Sequence, residues 1–117
     1  MKNMSGLNHI ALICASEESI QFYADLGFSE RTRIARAYDT VVFMDGFGTT
    51  LEIFVDPRHP PRASSPENNG LRHICLVPDD FDAAARKYGI ETPKTDFFGK
   101  RFFFISDPDG QPVEIHE

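Results

Sequence analysis

Gly6-Leu7-Asn8-His9-Ile10-Ala11-Leu12 returns as Gly70-Leu71-Arg72-His73-Ile74-Cys75-Leu76. Leu51-Glu52-Ile53-Phe54 returns as Val113-Glu114-Ile115-His116, and the Gly27-Phe28 break recurs at Gly89-Ile90. The offsets agree: 64 residues from His9 to His73, 62 from Glu52 to Glu114 and 62 from Gly27 to Gly89. The chain therefore reads as two copies of one module. Each copy carries one His and one Glu in strand-like sequence.

Working outward, Leu7 to Cys14 reads as a buried strand. Ser16 is placed to cap a helix with apolar residues Ile20, Phe22, Tyr23 and Leu26, and Gly27 ends it. Phe28 to Ile34, Thr40 to Met44 and Thr50 to Val55 follow as strands, the last two joined by a turn at Asp45-Gly46 and Gly48. Module 1 thus spans about 5–55 as strand–helix–strand–strand–strand. Residues 56–69 form a linker holding Pro57, Pro60, Pro61 and Pro66, four of the chain's eight prolines, which suits an exposed crossing segment. Module 2, about 70–117, repeats the order. Leu71 to Val77 is a strand, Asp79 caps a helix through Ala83-Ala84-Ala85 to Tyr88, and Gly89 ends it. Ile90 to Lys94, Arg101 to Ile105 and Pro112 to His116 are the remaining strands, the last preceded by the turn Asp107-Pro108-Asp109-Gly110. The expected fold is α+β, one domain over 1–117, with two paired βαβββ modules whose sheets form a partly closed cleft.

Bulk properties narrow the function. The formal charge of −6 argues against a nucleic-acid partner, which needs a basic face. No apolar run approaches the ~20 residues of a membrane helix. Met1-Lys2-Asn3-Met4-Ser5 leads towards the first strand without a signal-peptide stretch, so a cytoplasmic location is expected. Cys75 shares a strand face with His73, whereas Cys14 and His9 face opposite ways. A bridge between the cysteines is not expected, and both read as buried, reduced thiols.

The chemistry lies in the repeat. If a pseudo-twofold relates the modules, His9, His73, Glu52 and Glu114 converge at its axis. Two imidazoles and two carboxylates suit one borderline divalent ion, Zn, Ni, Co, Mn or Fe(II). A lone His or Glu in a strand is commonly a surface residue. Two His–Glu pairs at matching offsets are hard to obtain from solvated faces.

These residues, with Phe22-Tyr23-Ala24-Asp25-Leu26-Gly27-Phe28 and Asp107-Pro108-Asp109-Gly110, resemble the vicinal oxygen chelate superfamily. That group includes glyoxalase I, methylmalonyl-CoA epimerase, extradiol dioxygenases and antibiotic-resistance proteins. The resemblance covers nearly the whole chain and implies metal bound by His9, Glu52, His73 and Glu114, with Zn or Ni first among the ions. The full His, Glu, His, Glu set is similar to that of glyoxalase I, whereas extradiol dioxygenases keep two His and one Glu. Pro60 to Asn69 and Lys100-Arg101-Phe102-Phe103 resemble an uncharacterised branch of glyoxalase-like proteins. The Lys94 to Lys100 segment is shorter than in larger members, whose loops there help form the thiol-conjugate pocket.

The implied activity is a lyase or isomerase acting through an enediolate on a small substrate with vicinal oxygens. Glu114 is the first choice of base and Glu52 the second. Return of the proton to the same carbon would make an epimerase, and a binding protein without catalysis is the second class. Lys100 and Arg101 offer cations to an anionic substrate tail, or flank a strand as a solvated pair. Phe97, Phe98, Phe102, Phe103 and Phe104 read mostly as core, with Phe103 offered as an apolar substrate contact. His116 shares the face of Glu114, as a supporting partner or as a C-terminal residue without a role. The resemblance and the open sheet edges imply a homodimer.

Overall fold

Alternating apolar and polar residues build two four-stranded sheets. A computed structural model describes residues 3–117, so Met1 and Lys2 of the expected leaderless start lie outside it. The chain divides into two compact units, Met1–Pro61 and Arg62–Glu117. The first contains β1 (Ile10–Cys14), α1 (Glu17–Leu26), β2 (Ser29–Ala35), β3 (Thr40–Gly46) and β4 (Thr49–Val55). The second contains β5 (Ile74–Leu76), α2 (Phe81–Lys87), β6 (Lys94–Thr95), β7 (Arg101–Ser106) and β8 (Pro112–His116). Sheet order is β1-β4-β3-β2 in one and β5-β8-β7-β6 in the other. The first and last strands of each unit pair in parallel, and the rest are antiparallel. This is the expected βαβββ order, twice.

Side-chain alternation along a strand sorts residues onto two faces. In the first unit Cys14, Val42, Met44, Leu51 and Ile53 are buried, with Ser19, Ile20 and Tyr23 of α1 and Phe28 in the same core. In the second, Phe103, Val113 and Ile115 are buried with Phe81 and Ala85 of α2. The Phe81 and Phe103 rings lie 5.5 Å apart. Full burial of one such side chain contributes roughly 1.5–3 kcal/mol.

Local chemistry sets the helix ends. The Ser16 hydroxyl accepts from the Glu18 amide at 3.4 Å, as expected of that cap. In α2 the cap is Asp80 rather than Asp79, its carboxylate accepting from the Ala83 amide at 3.0 Å. Two adjacent Asp residues look alike in sequence, but Asp80 directly precedes the first helical residue, with extended backbone that turns its carboxylate onto the open first-turn amides. Gly27 has φ +118°, and a Cβ there would meet the Phe47 ring at 2.9 Å, so both backbone and space require glycine.

Several strands are shorter than their apolar runs. The first begins at Ile10, leaving Leu7 exposed, and the fifth at Ile74, leaving Leu71 exposed. Ile90 to Lys94 is not a strand; only Lys94–Thr95 pairs. The Ile90 amide closes the end of α2 on Ala85 O at 2.8 Å, and Pro93 has no N–H for a ladder. Cys14 is buried as expected, but Cys75 is exposed because it stands on the less covered face of β5; neither is in a disulfide.

Candidate metal centre

Glu52 stands between Leu51 and Ile53, both fully buried, so its side chain leaves the opposite face of the sheet. Parallel pairing sets Ala11 of β1 beside Glu52, and antiparallel pairing sets Phe43 of β3 on its other side. His9, two residues before Ala11, reaches back to the carboxylate, with Nε2 3.5 Å from Glu52 Oε1. The second unit repeats this. Glu114 stands between buried Val113 and Ile115, with Cys75 on one side and Phe104 on the other. His73 Nε2 lies 3.0 Å from Glu114 Oε1, and its ring packs edge-on to Phe104 at 5.0 Å. Both pairs are partly open: side-chain exposure is 43% and 21% for His9 and Glu52, and 25% and 16% for His73 and Glu114. A small molecule can therefore reach them.

These pairs fit metal ligands. Two ligand atoms bound at about 2.1 Å and subtending 90–110° lie about 3.0–3.4 Å apart. The observed 3.0 Å separation in the second unit falls within that range, and the 3.5 Å separation in the first lies just beyond it. The donor chemistry agrees. Asn8 Oδ1 lies 2.7 Å from His9 Nδ1, and an amide oxygen only accepts, so Nδ1 carries a proton. Nε2, the nitrogen nearer Glu52, is then the atom through which His9 would hold an ion. At His73 the roles reverse. An Arg72 guanidinium nitrogen lies 3.2 Å from Nδ1, and a guanidinium only donates, so Nε2 holds the proton and gives it to Glu114. A metal held by Nε2 and Glu114 would take the place of that proton.

Two residues around the pairs escape a reading of the sequence. Asn8 and Arg72 each orient a histidine. Strand alternation from His73 would send Arg72 away from the site; it lies instead beside His73 and 5.6 Å from the Phe104 ring centre, because β5 begins only at Ile74. Cys75, expected on the face of His73, stands beside Glu114. Partial burial and the neighbouring Glu114 carboxylate push its thiol up to about 11. It is a neutral thiol beside one carboxylate, where the first unit has Ala11.

The expected substrate contacts fare differently. Lys100 is exposed in the turn before β7. Arg101 and Phe103 are not brought to the face of Glu114, because alternation along β7 sends them to the helix side. Arg101 is held by Asp82 at 2.9 Å and Glu117 at 2.8 Å over the Phe81 ring, and Phe103 is core. Of the other phenylalanines expected mostly as core, Phe97, Phe98 and Phe104 are exposed. Phe97 and Phe98 occupy a turn whose amides are gathered by Asp96, which accepts from the Phe98 and Lys100 N–H groups.

His116 does share the face of Glu114, opposite Phe102. Its Nε2 lies 2.7 Å from Asp96 Oδ2 and its Nδ1 2.8 Å from Glu117 O. Both partners accept, so the ring donates from both nitrogens and is charged. The Asp96 carboxylate raises the His116 value above 6.5, and His116 with the turn amides lowers Asp96 below 3.8. The His contribution is complete below pH 6.5 and is lost as pH rises through the raised value. The Asp contribution is present above pH 3.8 and is lost as pH falls through the lowered one. Asp96→Asn is therefore expected to lower the thermal midpoint most between about pH 4 and 6.5. The gap should narrow on either side, and an equal gap at pH 6 and pH 9 would refute the pair.

A profile of the Glyoxalase/Bleomycin resistance protein/Dioxygenase superfamily matches residues 6–115. The uncharacterized protein YaeR of Escherichia coli K12 is 35% identical over 129 residues, covering 100% of this chain and 99% of that protein. The crystal structure of a glyoxalase family protein from Enterococcus faecalis superposes with TM-score 0.84 at 31% identity, covering 96% of this chain and 97% of the other. A lactoylglutathione lyase structure from Agrobacterium tumefaciens shares the fold, with TM-score 0.69 at 23% identity, over 99% of this chain and 96% of that one. No helix among the described residues is long and apolar enough to cross a membrane. With a profile match over almost its full length and the doubled βαβββ order, the chain belongs to the Glyoxalase/Bleomycin resistance protein/Dioxygenase superfamily.

Proposed function

We propose that this chain is a divalent-metal-dependent lyase or isomerase of the glyoxalase type, acting on a small substrate with vicinal oxygens. The metal ligands would be His9, Glu52, His73 and Glu114, with Zn or Ni as the first candidates and Mn, Co or Fe behind them. The observation that carries this reading is the doubled pair: in each unit an imidazole nitrogen lies at or just beyond metal-ligand spacing from a carboxylate on a partly open sheet face.

The ion would supply Lewis acidity to a substrate carbonyl. The chain's residues do the rest. Asn8 and Arg72 hold the two imidazoles in place. Phe43 and Phe104 flank Glu52 and Glu114 across the ladders. Glu114 takes the proton from the carbon beside the carbonyl and returns it to the neighbouring carbon, with Glu52 as the alternative base. Return to the same carbon would make the reaction an epimerisation. A homodimer is part of this reading: β1 and β2 are edge strands in the first sheet, and Ile13 and Ile34 are exposed. Two cysteines outside any disulfide suit a reducing compartment, and the cytoplasm is the proposed location.

Elemental analysis of protein purified without added metal tests the reading, beside a His9→Ala/His73→Ala variant. A near-stoichiometric ion that is lost in the variant, with turnover of hemithioacetals by the loaded protein, is the expected result. Absence of metal from both proteins after reconstitution would overturn it and leave a ligand-binding member of the superfamily.

A further inference from the structure

The first sheet carries a second polar constellation next to the His9–Glu52 pair. A depression of about 360 Å³ is lined by Asn8, Arg31, Asp45, Gly48, Thr49 and Thr50. Thr50 precedes Glu52 by two residues and shares its face, and Asp45 stands directly across from Thr50. Arg31 arrives there through an irregularity. The ladder between β2 and β3 shifts register between Glu30 and Thr32, making Arg31 the extra residue of a bulge. A bulge re-aims a side chain. The Arg31 guanidinium carbon comes to rest 5.6 Å from the ring centre of Phe43, the residue paired with Glu52.

The hydrogen bonding sets the chemistry of this depression. Arg31 Nε donates to Asp45 Oδ2 at 2.8 Å, and Thr50 Oγ1 donates to Asp45 Oδ1 at 2.7 Å. Both carboxylate oxygens are thereby engaged, and the guanidinium is held by its side. Its two terminal nitrogens have no partner among the described residues. Asn8 commits its oxygen to His9, and its NH2 is likewise without a partner there. The Thr49 hydroxyl is buried and unpartnered among the described residues. The groups left over are mainly donors, and the one carboxylate is already satisfied. A guanidinium fork with open ends matches a carboxylate in two-point contact.

We propose that this depression is the subsite for a substrate carboxylate, held by the Arg31 fork and the Asn8 amide while the reacting end of the substrate lies at His9 and Glu52. The inference rests on the metal-site reading for the second half of that sentence only. Asn8 joins the two halves, because the side chain that lines the depression also orients His9. The anion-holding role expected of Arg101 thus passes to Arg31, whose terminal nitrogens are open where those of Arg101 are engaged.

Two measurements separate this subsite from the catalytic reading. In the first, protein as purified, labelled with 15N, is titrated with succinate and, in parallel, with succinamide. Succinate is expected to move the Arg31 Nε–H, the Asn8 side-chain amide and the backbone amides of Gly48 and Thr50, with succinamide much weaker. Arg31→Gln should weaken succinate binding by roughly tenfold or more, and Arg31→Lys by less. Unchanged amide positions elsewhere would show that each variant is folded. Equal shifts from the two ligands, or an unchanged succinate affinity in Arg31→Gln, would overturn the proposal. In the second, kcat/KM is compared for methylglyoxal hemithioacetals of mercaptoacetate and mercaptoethanol. Preference for the charged thiol in wild type and its loss in Arg31→Gln support the subsite in catalysis. No preference in an active wild type overturns that role. Succinate binding without any turnover would sink the lyase reading and leave the carboxylate site standing.

Discussion

Glu114→Gln is expected to cut hemithioacetal turnover by roughly 10²–10⁴-fold, the range that a positioned general base supplies. The substitution keeps the size of the side chain between Val113 and Ile115 and removes its charge. It also reverses part of its hydrogen bonding: His73 Nε2, 3.0 Å away, and the Cys75 thiol both approach as donors and would meet an amide that donates on one side. Metal content decides between the two ways in which activity is lost. Turnover that falls at full metal occupancy assigns the proton transfer to Glu114. Turnover that falls only in step with the metal assigns a ligand role. Undiminished turnover at full occupancy would sink Glu114 as the base, and Glu52→Gln would then be the variant to follow.

Leu51→Ala is expected to destabilise the protein by about 2–5 kcal/mol. Leu51 is fully buried and pairs across strands with Met44, itself 1% exposed, so the deleted carbons leave a cavity that the ladder holds open. Its neighbour Glu52 stands on the opposite face and is partly exposed. With metal removed from both proteins, Glu52→Ala should leave stability within about 0.5 kcal/mol, as is usual for partly exposed positions. Two adjacent residues of one strand thus separate cleanly, one answering to a denaturation midpoint and the other to metal content. A loss below about 1 kcal/mol for Leu51→Ala, at unchanged m-value, would contradict the packing described.

The doubled order of elements was legible because it rests on period-2 alternation and on punctuation by glycine and proline. The His–Glu pairs were legible for the same reason: a Glu between two buried aliphatics has only the other face to occupy. What stayed hidden lies where alternation does not govern. Arg72 stands before its strand begins, so its direction follows from Glu67 and His73 rather than from parity. Arg31 sits in a bulge, which cancels parity for one residue. Arg101 and Phe103 were read for charge and ring rather than for side, and strict alternation sends them to α2. Choosing between Asp79 and Asp80 needed the backbone, because the two carboxylates are chemically the same. The weak Ile90–Lys94 strand was foreseeable from Pro93. The exposure of Phe97 and Phe98 was not, because it depends on the turn that Asp96 closes.

Parallel pairing of β1 with β4 and of β5 with β8 has a kinetic consequence. His9 and Glu52 are 43 residues apart in sequence, and His73 and Glu114 are 41 apart. Hairpins such as β3–β4 close over a few residues, whereas each His–Glu pair forms only when the two ends of its unit meet, which is slow and entropically costly. An ion cannot template the early steps of such a chain. An ion held by these pairs would bind a unit already assembled, and a chelator is then expected to withdraw it while the β3–β4 hairpin keeps its amide protection.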